Sequence, residues 1–169
     1  MIVAALVFWQ ALSPTERVAA GARAQLASPA RYDASYRAVA YPGGDVPLDR
    51  GACTDVVVRA YRTAGYDLQE LVHRDMKSRR LPTDTNIDHR RVRNQAAFFK
   101  RHGESLALDA DWQPGDVVCW KLDSGLDHTG VVSWKKSPSG RPLVVHNISW
   151  TKEEDVLTKW KIVGHYRYP

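Results

Sequence analysis

The hydrophobic period of this chain changes once, and the change divides it. From Pro14 to Gly103 apolar residues recur at three- and four-residue intervals, the spacing of a helix face. From Trp112 onward they alternate, the spacing of a half-buried strand. Helices first and an antiparallel sheet second is the pattern of an α+β fold.

The 169 residues fit one domain and are enough to bury a core without disulfide or metal staples. With 44% hydrophobic and 25% charged residues, neither a disordered nor a membrane-spanning chain is expected. The apolar run 2–9 is shorter than the roughly 20 residues a spanning helix needs, so no stable membrane insertion is expected. It reads either as a signal remnant within 1–12, one lacking a basic start and a small-x-small cleavage site, or as a first helix packed on the domain. Residues 1–26 are therefore set apart as an N-terminal segment and helix, and 27–169 as the functional domain. The net charge of +5 favours anionic surroundings. Its basic clusters lack the aromatic interleaving of a single-strand binding surface, which argues against nucleic acid.

Ser13-Pro14-Thr15-Glu16 has a Ser cap, Pro at the first helical position and Glu three residues after the cap, predicting a helix over 14–26. A Pro-, Gly- and Tyr-rich loop over 27–50 follows. Leu68, Leu71, Val72 and Met76 keep a helical spacing, with His73 as a satisfied or surface residue on that helix. Asp88 is placed to cap a third helix with Val92, Ala96 and Phe99 on its apolar face, ending at Gly103. His89, Arg90, Arg91 and Arg93 stand at its start, where cations oppose the helix dipole unless anionic groups lie nearby. Strands are expected over 116–122, 129–134, 143–148 and 162–168, and a short helix over 153–160.

Cys53 occupies the junction of the 27–50 loop and a helix, with Val57, Ala60 and Ala64 continuing one apolar stripe from it until Gly65. In a first helical turn, unpaired backbone N–H groups and the dipole favour a thiolate. Cys119 lies inside an alternating apolar strand and reads as a small structural hydrophobe, so two free thiols are expected rather than a disulfide. His128 opens one strand and His146 closes another, and adjacent antiparallel strands would bring them together. A cysteine at a helix start with a distant histidine base, oriented by a third polar group, is the arrangement for covalent acyl transfer. Cys53, His128, His146 and Asp55 are also zinc-ligand types, but no closely spaced pair appears among them.

Those residues carry a resemblance. The helix cysteine, Pro114-Gly115-Asp116-Val117-Val118-Cys119-Trp120, His128-Thr129-Gly130-Val131-Val132 and Val145-His146 follow one another as in the NlpC-type superfamily of papain-like cell-wall cysteine peptidases. Cys53-Thr54-Asp55-Val56, Asn86-Ile87-Asp88-His89-Arg90-Arg91-Val92, His146-Asn147-Ile148 and Gly164-His165-Tyr166-Arg167-Tyr168 further resemble a bacterial branch long described only as a domain of unknown function. The resemblance implies a papain-like fold in which a helical half carrying the nucleophile packs on an antiparallel sheet. It implies Cys53 as nucleophile, His128 as base, His146 as its orienting partner, and no metal or organic cofactor. The same motifs supply the candidate substrate contacts Asp55, Asn86, Asp88, His89, Arg90 and Asn147, and the resemblance matches Tyr41 to the tyrosine that lines the superfamily's substrate pocket.

The superfamily hydrolyses amide bonds of peptidoglycan stem peptides, or the stem–glycan junction, so peptidoglycan is the implied partner and the periplasm or the exterior the implied location. The superfamily often has Asp-Cys-Ser at the nucleophile, whereas this chain has Ala52-Cys53-Thr54 with Asp55 displaced, which leaves the scissile bond open. An antibacterial effector with an immunity protein is one role for such a hydrolase, and a catalytically silent cell-wall-binding module is the alternative function. A monomer is the working expectation.

Overall fold

The computed structural model describes residues 11–109 and 111–169; the apolar run 2–9, with its two readings, lies outside them. The first described helix, α1 (Pro14–Ala24), starts as its sequence dictates: Ser13 Oγ accepts from the Glu16 N–H and the Glu16 carboxylate accepts from the Ser13 N–H. It continues as a 3-10 turn, Gln25–Ala27, rather than as α-helix to 26. Val18 and Ala22 lie in the same core as Val57, Tyr61 and Val131. The boundary at 26/27 therefore does not separate two packing units.

The loop that follows forms a short parallel pair, β1 (Arg31–Tyr32) with β2 (Arg50–Gly51). Helix α2 (Cys53–Thr63) comes next, then α3 (Leu68–Ser78) and α4 (Val92–His102). Asp88 does not cap α4. Its carboxylate accepts from the Asp84 N–H and meets His73 Nδ1, so residues Asp88–Arg90 wind as a 3-10 turn and α4 begins after Arg91 without a side-chain cap. His73 is thereby satisfied, as expected.

A six-stranded sheet occupies the second half. Its strands are β3 (Glu104–Ser105), β4 (Val117–Lys121), β5 (Asp127–Lys136), β6 (Pro142–Asn147), β7 (Thr151–Glu154) and β8 (Lys161–Arg167). They lie in the order β3-β8-β4-β5-β6-β7, with every neighbouring pair antiparallel. The short helix expected over 153–160 is absent: 151–154 instead pairs with β6, and its Lys-Glu-Glu composition suits an edge strand that must not recruit another chain. Val117, Cys119, Val131 and Val145 pack against the helices, while Val118, Trp120, Val132 and Val144 pack against Val156 and Leu157 on the other face. The alternation is what strand geometry requires. Both cysteines are free and buried. Among the described residues no helix is long and apolar enough to cross a membrane.

Two of the sequence motifs lock the sheet to the helices. Asp116 is fully buried, and its carboxylate accepts from His165 Nε2 at 2.8 Å, from Arg167 at 2.7 and 2.8 Å, and from the Gln113 N–H. The turn before β4 is thus fastened to β8. Gly115, at φ +91°, lies where a Cβ would come within 2.0 Å of the Thr15 carbonyl oxygen, so only glycine lets this turn touch the start of α1.

Candidate active site

Cys53 is the first residue of α2. Ala52 precedes it in an extended conformation and offers no side-chain acceptor; half of a capping box survives, in which the Asp55 carboxylate accepts the Ala52 N–H at 2.6 Å. Arg90 holds that carboxylate from behind, at 2.9 and 3.0 Å, and spends its remaining donors on the Ser35 and Asp33 carbonyls. Thr54 Oγ1 donates to the Arg90 carbonyl, and Gln95 Nε2 donates to the carbonyls of Thr54 and His89. The start of α2 is thus braced by the Asn86–Arg90 region.

That bracing corrects several sequence expectations. Asp55, Asp88, His89 and Arg90 were candidate substrate contacts; all four are buried, and the polar atoms of Asp55, Asp88 and Arg90 are turned to protein groups. The anionic neighbour that the basic helix start called for is Asp55. Asn86 accepts from the Val39 N–H and donates to Tyr36 Oη, pinning the preceding loop. Asn147 is fully buried and donates to the carbonyls of Ala30 and Gly51, tying the end of β6 to the turn before Cys53. Tyr41 packs edge-on against His73, 5.2 Å between ring centroids, and His73 in turn meets Asp88. These residues tie together the elements around Cys53; two of their buried polar atoms, His89 Nδ1 and Asn147 Oδ1, have no hydrogen-bond partner among the described residues.

Tyr32, which the sequence reading passed over, stands nearer. Its phenol is pushed up by burial and then by the charges of Cys53 and Asp55, while 42% of the residue remains exposed. It reaches the nucleophile because β1 pairs with β2, immediately before Cys53, and because the Tyr32 N–H donates to the Ser149 carbonyl beyond β6. A two-residue strand with a distant partner leaves no local signal.

Cys53 is only 5% exposed. Burial pushes its thiol up to about 11, against the opposing pull of the backbone amides of Thr129, Thr54 and Cys53 itself. The expectation that the helix start yields a resting thiolate is therefore corrected: desolvation outweighs the amides. The Thr129 amide belongs to the residue following His128, so β5 carries both beside one another in the chain.

On the opposite face of β5 from Thr129, the histidines meet as the sequence predicts. Gly130 is paired with His146 across β5 and β6, and His128, two residues earlier, shares that face. Nε2 of His128 lies 2.9 Å from Nδ1 of His146. Gly130 makes the approach possible: a Cβ there would lie 2.7 Å from Val144 Cγ1 and 3.1 Å from His146 Cβ. Trp120 stacks on His128 at 5.5 Å and 22°, and Trp160 meets the same ring edge-on at 5.6 Å. In this enclosure burial and the neighbouring His146 push His128 down to about 3. His146 is also lowered, mainly by burial, with Glu154 pulling the other way.

Glu154 is the other residue the sequence reading missed. Its Oε2 lies 3.0 Å from His146 Nε2, so Glu154, His146 and His128 form a chain in which His146 meets the carboxylate through Nε2 and His128 through Nδ1. The three are strung end to end, and among the described residues no group of three His, Cys, Asp or Glu side chains converges as metal ligands. Cys53 Sγ and His128 share no hydrogen bond in this resting arrangement; the thiol meets backbone amides, and both members of the pair are neutral at neutral pH.

The fold defines a class first. The chain aligns with NlpC1 from Trichomonas vaginalis at a TM-score of 0.54 and 17% identity, over 91% of this chain and 44% of that one. NlpC2 from the same organism aligns at 0.52 and 16%, over 95% and 49%. The present chain thus spans less than half the length of either, and at these identities the likeness is one of fold: papain-like, of the NlpC type. Within that fold the chain belongs to the family described as Domain of unknown function (DUF1287), whose sequence profile matches residues 19–168. It is 49% identical over 164 residues to "Uncharacterized protein YijF" of Escherichia coli (strain K12), covering 89% of this chain and 80% of that protein.

Proposed function

We propose that this protein is a cysteine amidase or endopeptidase of the bacterial envelope, cleaving an amide bond in peptidoglycan, either within the stem peptide or at its junction with the glycan. The observation that carries the reading is the 2.9 Å contact of His128 with His146, built on the strand whose next amide faces Cys53 Sγ. An NlpC-type fold with a cysteine at the start of its central helix supports the same chemistry.

In the proposed reaction Cys53 Sγ attacks the scissile carbonyl carbon while its proton passes to His128, and a C–S bond forms as the carbonyl becomes an oxyanion. The backbone N–H of Cys53 is an oxyanion donor. Collapse breaks the C–N bond, and His128 returns its proton to the departing amine. Water, deprotonated by the same imidazole, then hydrolyses the thioester and regenerates the thiol. Tyr32, exposed beside the nucleophile, takes the substrate-facing place that sequence reasoning had given to Tyr41. Action on peptidoglycan places the protein in the periplasm or outside the cell.

A silent wall-binding module is the second reading. The buried, protonated thiol and the missing thiol–imidazole hydrogen bond are what favour it. Mass spectrometry of soluble fragments released from purified peptidoglycan separates the two. Wild type is expected to release fragments with one defined new amine and carboxyl terminus. Equal sedimentation of wild type and Cys53→Ala with cell walls, and no fragments from either, would instead establish the binding module.

A further inference from the structure

We propose that Glu154 is a positioning residue that selects the tautomers of both histidines and so leaves the lone pair of the base on Nδ1, the nitrogen that His146 does not engage. This inference rests on reading Cys53 and His128 as nucleophile and base, and it concerns the chemistry of the site rather than the identity of the substrate.

Hydrogen-bond valence fixes where the protons sit. An ionised carboxylate only accepts. With Glu154 Oε2 at 3.0 Å, His146 Nε2 must therefore carry a hydrogen. His146 is held neutral in its buried setting, so that hydrogen is its only one and Nδ1 is an acceptor. The 2.9 Å contact then requires His128 Nε2 to be the donor. His128, neutral as well, is left with an unprotonated Nδ1, the form able to take a proton from a thiol.

Without the carboxylate a second pattern satisfies the same histidine contact. His146 would donate from Nδ1 to His128 Nε2, and His128 would carry its hydrogen on Nδ1, where it blocks the base. The other neighbours of the rings are Trp120 and Trp160, which make aromatic contacts, with the Trp120 indole N–H committed to the Leu157 carbonyl, and the cations Lys152 and Lys159, whose charges disfavour a charged His146. Glu154 breaks the tie. Its place on β7 is set by the β6–β7 register, in which His146 is paired with Lys152, so that Glu154 lies two residues along on the same face. The side chain is 41% exposed, which keeps its end of the chain in contact with water.

The test reads protons directly. Long-range 15N–1H correlation spectra of the uniformly labelled protein at neutral pH are expected to show His128 and His146 both protonated at Nε2 and bare at Nδ1. In Glu154→Ala, signals of the Nδ1–H forms are expected to appear, and alkylation of Cys53 by iodoacetamide, followed by peptide mass spectrometry, is expected to slow by about 10- to 100-fold. Glu154→Gln, whose amide oxygen accepts but whose nitrogen donates, is expected to fall between. A wild-type His146 protonated at Nδ1 would overturn the inference, as would a folded Glu154→Ala with unchanged tautomers and an unchanged alkylation rate. Should Glu154→Ala fail to fold, the wild-type spectrum alone decides. Neither readout involves peptidoglycan, so absence of wall hydrolysis would count against the proposed function and leave this inference standing.

Discussion

Arg90 grips both carboxylate oxygens of Asp55, at 2.9 and 3.0 Å, with 2% and 3% of the two side chains exposed. The pair lies directly behind the nucleophile, because Asp55 also accepts the Ala52 N–H that leads into α2. Breaking a buried pair strands a charge, at a cost of about 3–5 kcal/mol. Arg90→Ala is expected to lose that much stability in equilibrium urea unfolding, and Arg90→Lys, which keeps the charge without the two-pronged grip, to lose less. A loss below about 1 kcal/mol for Arg90→Ala, the range of an exposed pair, would mean the pair does not brace the helix start.

Cys53 is expected to be a thiol, not a thiolate, at neutral pH. Burial has raised it to about 11 and lowered His128 to about 3, so the uncharged pair is the resting form between those values. The ultraviolet thiolate absorbance of wild type, taken as the difference from Cys53→Ala, is expected to be absent at pH 7 and to grow only in strong alkali. A full thiolate signal already at pH 6 would show a preformed ion pair instead.

Acid should destabilise the fold through its buried histidines. His128 and His89 titrate in the folded protein at about 3 and about 4, below their ordinary value of 6.5, chiefly because burial penalises the cation. As pH falls below about 6.5 the unfolded chain takes up these protons while the folded one does not. Stability present above that pH is therefore lost downward, through windows ending near 3 and 4, at up to about 1.4 kcal/mol per pH unit for each group. Urea midpoints at pH 7.5 and 4.5 check this, and His89→Gln is expected to shrink the difference. Equal midpoints would contradict it.

Gly130→Ala places a methyl group 2.7 Å from Val144 Cγ1, 2.9 Å from the Val145 carbonyl oxygen and 3.1 Å from His146 Cβ. Strand β5 or the His146 side chain must move. Overpacking of this kind costs about 1–3 kcal/mol, and here it also disturbs the histidine contact. The variant is expected to stay folded with a lowered melting temperature and to lose most hydrolytic activity. Unaltered activity would show that the contact tolerates displacement.

Residues with local signals were legible in the sequence. Cys53 follows a loop and begins an apolar helical stripe, and His128 and His146 sit at the ends of strongly alternating strands, so all three could be read in place. What escaped depends on distant partners. Glu153 and Glu154 read as the start of a helix over 153–160, yet they end the strand Thr151–Glu154 because β6 offers it an edge, and that misreading hid Glu154. Tyr32 lies in a loop-like segment whose place beside Cys53 is set by β2 and Ser149. Asn86 through Arg90 looked like an exposed polar motif, because nothing local reveals that Asp55 waits in the core for Arg90. The same limit applies to the thiol: a helix start predicts activation, and only the folded surroundings disclose the burial that opposes it.

The central claim is that Cys53 attacks an amide carbonyl. Intact-protein mass spectrometry during turnover of purified muropeptides tests it most directly. The expected result is a transient mass increase equal to one acyl fragment, mapped by digestion to the peptide containing Cys53, labile to hydroxylamine and absent from Cys53→Ala along with all product. Continued product formation by Cys53→Ala would contradict the claim.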